Sequence, residues 1–212
     1  VHLVRHGEVF NPERVLYGRL PGYGLSELGR QMAEAAAADL LERGRPVSRI
    51  VASPLQRAQE SAEPLASVFN LPVSIDERII EPTNRFEGKR MRGPQGALRD
   101  ARNWPALANP LQPSWGEPYR LIAARMLAAI DDAFQSIGDD APGDVVLVSH
   151  QLPIWMAHCA LTGARFPHDP RKRRCALSSI TTFSLRANGV VEVGYSDPAA
   201  PLGARATDVG AV

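Results

Sequence analysis

Residues 144–150 read DVVLVSH, and residues 1–7 read VHLVRHG. The run Val145–Val148 is apolar without a break, too short for a helix and rich in β-branched residues. It reads as a strand buried on both faces, which is the pattern of a parallel sheet covered by helices. Val1, Leu3 and Val4 make a second such strand, stopped by Gly7. Each strand delivers a histidine, His6 or His150, just past its apolar run. In a parallel sheet the carboxyl ends share one edge, and open α/β folds bind ligands in the crevice there. His150 lies 144 positions after His6, yet the topology turns both toward one pocket.

Working outward, strand and helix signals alternate. Further strands are expected at Ile50–Ala52, Pro72–Ile75, Ile180–Leu185 and Val190–Tyr195, with Asn188-Gly189 as a hairpin turn between the last two. Ser26 caps a helix whose Leu28, Met32, Ala35, Ala36 and Leu40 share a face and which Gly44 ends. Leu55 to Phe69 is a helix expected to be disturbed at Pro64, Glu117 to Ile137 is a long helix, and Pro153–Leu161 is a third. The fold class is α/β: a three-layer sandwich with a mostly parallel sheet of about six strands, one of them antiparallel near the C-terminus, and helices on both faces. A single domain is expected over 1–197, with an insert or lid at about 81–117 where periodicity fades, and a mobile Ala/Pro/Gly-rich tail over 198–212.

Composition limits the function classes. Of 212 residues, 44% are hydrophobic and 22% charged, and Lys+Arg 24 against Asp+Glu 23 leaves a net charge of +1. That balance argues against nucleic-acid and membrane-surface partners, even though the run Arg171, Lys172, Arg173, Arg174 is basic and offers an anion-recruiting rim. No apolar stretch approaches the ~18–20 residues that span a bilayer. The charged start lacks the apolar core of a signal peptide, and it begins at Val1 rather than Met, so residues upstream are to be expected. The two cysteines, Cys159 and Cys175, have no motif spacing and read as buried reduced thiols. The cytoplasm is the default compartment, and a homodimer stays open.

The strand IVAS (50–53) ends at the same edge and places Arg57 in the first turn of the next helix, where backbone N–H groups favour anions. Two guanidinium groups, Arg5 and Arg57, with two imidazoles make an anion site. Phosphate suits it, because guanidinium forks bind phosphate bidentately and an imidazole can act as a nucleophile. The cations would lower the histidine pKa values and keep a lone pair on His6 at pH 7. Read singly, the same residues are equally at home as strand-end packing histidines and a surface arginine.

At these residues the chain resembles the histidine phosphatase superfamily, also called the phosphoglycerate mutase-like family. The matching elements are Arg5-His6-Gly7-Glu8, Gly18-Arg19 with Leu25-Ser26-Glu27-Leu28-Gly29-Arg30-Gln31-Met32, Ser53-Pro54-Leu55-Gln56-Arg57-Ala58-Gln59-Glu60-Ser61, and Val148-Ser149-His150. The resemblance implies that His6 attacks a small phosphate monoester to form a phosphohistidine that water then hydrolyses. It implies that Arg5, Arg57 and His150 hold the non-bridging oxygens, with neither metal nor cofactor. Asn11 and Gln151 are further substrate-binding candidates, Asn11 being equally well explained by an Asn-Pro turn.

The resemblance also implies a carboxylic acid after the third strand, and Glu81 is the matching position. The family's E-x-x-x-G-x-x-E-G is altered here, with Arg85 for a glycine and Glu87-Gly88 one position early, so Glu87 and Glu77 stand as alternatives. Ser149-His150-Gln151-Leu152 replaces the common S-H-G-G, which makes that wall bulkier. The E-R-H-Y-G-like segment of the glycolytic mutases is absent, so a phosphatase is favoured over a phosphomutase. Lys89, Arg90, Arg92, Arg99 and Arg102 make the insert basic, consistent with a second acidic group on the substrate. A non-catalytic anion-binding or scaffolding domain is the reading from another class.

Overall fold

Strand β4 (Asp144–Ser149) is buried along its whole length, and its side chains alternate between two cores. Val145 and Leu147 join Leu3, Val51, Met126, Ile130 and Ile154 on one face, and Val146 and Val148 join Val4, Ile50, Ala58, Ala62 and Leu65 on the other. That two-sided burial is why the strand carries no polar residue between Asp144 and Ser149. The computed structural model describes residues 1–91, 96–107, 115–137 and 143–208.

Around β4 the sheet runs β3 (Val73–Ile75), β2 (Val47–Ala52), β4, β1 (His2–Arg5), β5 (Ile180–Arg186) and β6 (Gly189–Ser196), in that spatial order. The β2–β3, β2–β4 and β1–β4 pairs are parallel; β5 runs antiparallel to both β1 and β6. The sheet is thus mostly parallel with one reversed strand, as the sequence predicts. Helices α1 (Glu27–Glu42) and α2 (Gln56–Phe69) cover one face. Helices α4 (Tyr119–Gln135) and α5 (Gln151–Thr162) cover the other.

Local signals explain most boundaries. Ser26 caps α1 by accepting from the Gly29 N–H at 2.9 Å, and Gly44, at φ +65°, follows its end. Helix α2 passes through Pro64 without interruption, contrary to the expected disturbance. Proline inside a helix costs about 3 kcal/mol, and the burial of Ala58, Ser61, Ala62 and Leu65 along the same helix offsets it. The β5–β6 hairpin pairs Arg186 with Gly189, so its turn is Ala187-Asn188, one residue earlier than the sequence suggests, and Gly189 takes φ +107°.

Within the insert, short 3₁₀ turns at Ala97–Arg99 and Ala101–Asn103 lead into α3 (Trp104–Leu107); residues 92–95, which include Arg92, and 108–114 lie outside the described residues. The stretch expected as a mobile tail contains α6 (Ala200–Gly203), and Ala199 is buried against Met32 and Leu177. Residues 209–212 lie outside the described residues. Both cysteines are buried and unbridged.

Candidate active site

The register of the two central strands builds the site. Arg5 stands opposite Ser149 in the parallel β1–β4 pair, so the next residue of each strand, His6 and His150, emerges at the same height. Their ring centroids are 5.2 Å apart, tilted by 59°. Both are buried, with Arg5, Arg57 and Glu81, at 3% exposure or less.

His6 is held in one tautomer. Its Nδ1 lies 2.7 Å from the Gly7 carbonyl, an acceptor only, so Nδ1 carries the proton and Nε2 keeps its lone pair. Arg57 Nε reaches that lone pair at 3.3 Å, while Arg57 Nη2 donates to the Gly18 carbonyl at 2.8 Å. Burial, together with the charges of Arg57 and Arg5, drives the His6 pKa well below its ordinary value. The imidazole is therefore neutral and nucleophilic at pH 7.

The glycines of the matched elements have a steric reason. A Cβ on Gly7 would sit 2.2 Å from the Gly29 carbonyl oxygen, and a Cβ on Gly29 would sit 2.0 Å from the Glu8 carbonyl oxygen. Only two glycines let α1 come this close to the loop after β1. Ser61 completes the lock: its Oγ accepts from the Gly7 N–H at 3.1 Å and donates to the Arg57 carbonyl at 2.7 Å.

His150 is oriented by Ser53, which follows β2. Ser53 Oγ accepts from the Leu55 N–H at 3.4 Å and lies 2.7 Å from His150 Nε2. Where the hydroxyl donates to Nε2, the ring proton sits on Nδ1. That Nδ1 is buried with no hydrogen-bond partner, 3.6 Å from Glu81 Oε2. Burial, then the charge of Arg57, lowers the His150 pKa well below its ordinary value, so it is neutral as well.

Glu81 Oε1 and Arg5 Nε are likewise buried without partners. With His150 Nδ1 these make three unsatisfied polar atoms among the buried site residues, costly in isolation at about 1–3 kcal/mol each. A polar ligand at the site would satisfy such atoms. Burial raises the Glu81 pKa against the pull of Arg57, Arg173, Arg5 and Arg125, so its carboxyl holds a proton beyond the usual range. Glu77, by contrast, is exposed, and Glu87 accepts from the Arg19 and Asn84 N–H groups at 3.0 and 3.2 Å, ordering the loop rather than facing the histidines.

Asn11 points its side chain at the Val15 backbone, donating at 2.8 Å and accepting at 3.2 Å, which is the turn role. Gln151 opens α5, with Oε1 accepting from Arg173 Nη1 at 3.0 Å and Nε2 donating to the Cys175 carbonyl at 3.3 Å. Two of the insert's basic residues have protein partners: Arg90 donates to the Glu13 carbonyl, and Arg102 pairs with Asp100.

Several site residues carry no role in the sequence reading. Ser53 and Ser61 sit inside a matched element, so their positions were in view. Tyr17 is buried beneath Arg57, whose guanidinium carbon lies 4.7 Å from the ring centroid, and burial pushes its phenol up to about 12. Asp208 accepts from Arg5 Nη1 and Nη2 at 2.9 and 2.6 Å. Neither Tyr17 nor Asp208 has a sequence signal beyond its residue type. Among the described residues, no group of His, Cys, Asp and Glu is arranged to hold a metal ion, and no helix is long and apolar enough to cross a membrane.

A doubly covered α/β sheet with this buried cluster of guanidinium and imidazole groups at its carboxyl edge defines the class: an arrangement whose chemistry suits an oxyanion beside a neutral imidazole. Comparison with known proteins makes the class specific. The family model of the histidine phosphatase superfamily (branch 1) matches residues 1–198, and the chain belongs to that superfamily. An uncharacterized protein of Mycobacterium tuberculosis is 51% identical over 200 residues, covering 94% of this chain and 96% of that one. The glucosyl-3-phosphoglycerate phosphatase of Mycolicibacterium vanbaalenii is 32% identical over 176 residues, covering 76% and 73%. The native structure of a mycobacterial glucosyl-3-phosphoglycerate phosphatase superposes with a TM-score of 0.68 at 28% identity, covering 91% of this chain and 95% of that one.

Proposed function

We propose that the protein is a phosphatase that hydrolyses a small phosphate monoester through a phosphohistidine on His6. The observation that carries this reading is the fixed His6 tautomer. The Gly7 carbonyl holds the Nδ1 proton at 2.7 Å, and the Nε2 lone pair faces the guanidinium of Arg57 at 3.3 Å. A bound phosphoryl group would take over the Arg57 contact and place its phosphorus in front of Nε2. The naming of relatives as phosphatases supports the same reaction class.

In the first step the Nε2 lone pair forms a bond to phosphorus as the ester P–O bond breaks. Glu81, whose pKa burial raises, gives its proton to the departing alkoxide. Arg57, Arg5 through its Nε and His150 through its Nδ1 donate to the three non-bridging oxygens. In the second step the Glu81 carboxylate takes a proton from water, the water oxygen attacks phosphorus, and the N–P pair returns to His6. The products are an alcohol and inorganic phosphate. Phosphoryl transfer has a loose transition state, so positioning and positive charge do most of the catalysis, and guanidinium groups supply that charge without a metal.

The test is release of phosphate from p-nitrophenyl phosphate and small phosphate esters in the presence of EDTA, for the parent chain and His6→Ala. Chelator-resistant turnover that vanishes in the variant is expected. Bound vanadate without any turnover would replace the proposal with a binding module, and interconversion of 2- and 3-phosphoglycerate would replace it with a mutase.

A further inference from the structure

Glu81 lies on a segment that neither a helix nor a strand carries. Strand β3 ends at Ile75, a 3₁₀ turn spans Glu77–Ile79, and loop follows. A general acid has to stay within reach of the departing oxygen, so something must fix this loop. The carboxyl does not fix itself: Oε1 has no partner and Oε2 is 3.6 Å from His150 Nδ1.

The backbone is gripped instead, at three carbonyls. Arg125 Nη1, from α4, donates to the Arg78 carbonyl at 2.5 Å, Ser149 Oγ to the Ile79 carbonyl at 2.7 Å, and Arg19 Nε to the Glu81 carbonyl at 2.5 Å. One carboxylate joins the two outer grips. Glu117 accepts from Arg125 Nε at 2.9 Å and Nη2 at 3.0 Å, a bidentate pair, and its Oε2 lies 3.8 Å from Arg19 Nη2. The chain just before Glu117 is stapled to the chain just after Glu81. Asn84 and Gly116 form an antiparallel bridge, the Arg85 N–H donates to the Trp115 carbonyl at 2.7 Å, and a Cβ on Gly116 would sit 2.6 Å from the Thr83 carbonyl oxygen. The two ends of the insert therefore meet beside the acid.

We propose that Glu117 is a positioning residue for Glu81: by pairing with Arg19 and Arg125 it clamps the loop at Arg78 and at Glu81 and keeps the acid against His150. The inference rests on the phosphatase reading, in which Glu81 is the acid, and adds the group that holds it there. Glu117 has an electrostatic part as well. The groups facing Glu81 are Arg57 from α2, Arg173 from the loop before β5, Arg5 from β1, Arg125 from α4, the His150 ring and the Tyr17 phenol. Glu117 offsets the charge of Arg125. Without it that cation acts on Glu81 uncompensated and favours the carboxylate over the acid.

The test is kcat against pH for glycerol 3-phosphate, whose alkoxide needs a proton, and for p-nitrophenyl phosphate, whose leaving group does not. Glu117→Gln is expected to move the alkaline limb for glycerol 3-phosphate down by about one pH unit. It is also expected to lower kcat for that ester about tenfold, with KM and the p-nitrophenyl phosphate rate within about twofold of the parent. Arg125→Gln removes the opposite charge, so its alkaline limb is expected to move up, and it carries the test where Glu117→Gln fails to fold. Damage to packing alone would act in one direction. Equal losses on both esters, or alkaline limbs that stay in place or move the same way in both variants, would overturn the proposal. Carbon NMR of the Glu81 carboxyl in the ligand-free protein follows the same titration without turnover. A midpoint unmoved by Glu117→Gln counts against the role of Glu117, whereas a moved midpoint in a protein that turns over neither ester counts against the phosphatase reading alone.

Discussion

Replacing Ser53 by alanine isolates the device that orients His150. The side chain is fully buried, and its Oγ is 2.7 Å from His150 Nε2. Removing it leaves that nitrogen without its donor in a site closed to water, which costs about 1–3 kcal/mol of stability. It also frees the imidazole to move its proton from Nδ1 to Nε2. Nδ1, which lies 3.6 Å from Glu81 Oε2, would then present a lone pair to the phosphoryl oxygens instead of a donor. Loss of one such donor to a charged transition state is worth about 1.5–3 kcal/mol, or roughly 10- to 150-fold in kcat/KM. The assay is steady-state hydrolysis of p-nitrophenyl phosphate. Nitrogen NMR of the imidazole reads the tautomer, and a thermal melt separates unfolding from misorientation. A variant that melts normally and keeps kcat/KM within about twofold of the parent would refute the orienting role.

Glu81→Gln keeps the shape of the proposed acid and removes its proton. It is expected to slow hydrolysis of alkyl phosphates by about 10²–10⁴-fold and to spare p-nitrophenyl phosphate, whose leaving group departs unprotonated; equal losses on both would rule out general acid catalysis by Glu81. Because the His6 pKa is lowered and that of Glu81 is raised, activity against pH should climb through the first, hold a plateau and fall as Glu81 deprotonates. Glu81→Gln should flatten the alkaline limb. Gly29→Ala puts a methyl 2.0 Å from the Glu8 carbonyl oxygen, so although alanine favours a helix, melting should fall by about 6–12 °C, from a packing cost of about 3 kcal/mol. Acid should weaken the fold through its buried neutral histidines. Burial lowers the His2 pKa to about 4 from 6.5, so the stability it contributes is complete above 6.5 and lost as pH falls toward 4. That window is worth about 3 kcal/mol, and a urea midpoint that stays flat across it would contradict the burial argument.

How much of this was legible in the sequence follows from the range of each interaction. The ends of β1 and β4 could be read because an apolar run and a glycine are local patterns, and parallel register does the rest. Arg57 was legible because a helix must start after IVAS. Glu81 was singled out by the resemblance alone; nothing in ERIIEP distinguishes it from Glu77 until the fold buries one and exposes the other. Tyr17 gains its place from Arg57, distant in sequence, so residue type gave no indication; Ser53 lies in a matched element, but its contact with His150 is 97 positions away. The stretch from Pro198 has the composition of a mobile tail, but Ala199 finds a pocket against Met32 and Leu177, and Asp208 finds the fork of Arg5. Pro64 misleads for the opposite reason: its local penalty is real, and the core beneath α2 outweighs it.

The central claim is that the Nε2 lone pair of His6 becomes bonded to phosphorus. The most direct measurement is mass spectrometry of the protein quenched in alkali during turnover of a phosphate ester, since a phosphorus–nitrogen bond to imidazole survives base and is lost in acid. One phosphoryl group is expected on the peptide carrying His6, absent in His6→Ala and decaying when substrate is exhausted. Turnover with no phosphoryl group on that peptide, or with one carried elsewhere, would contradict it.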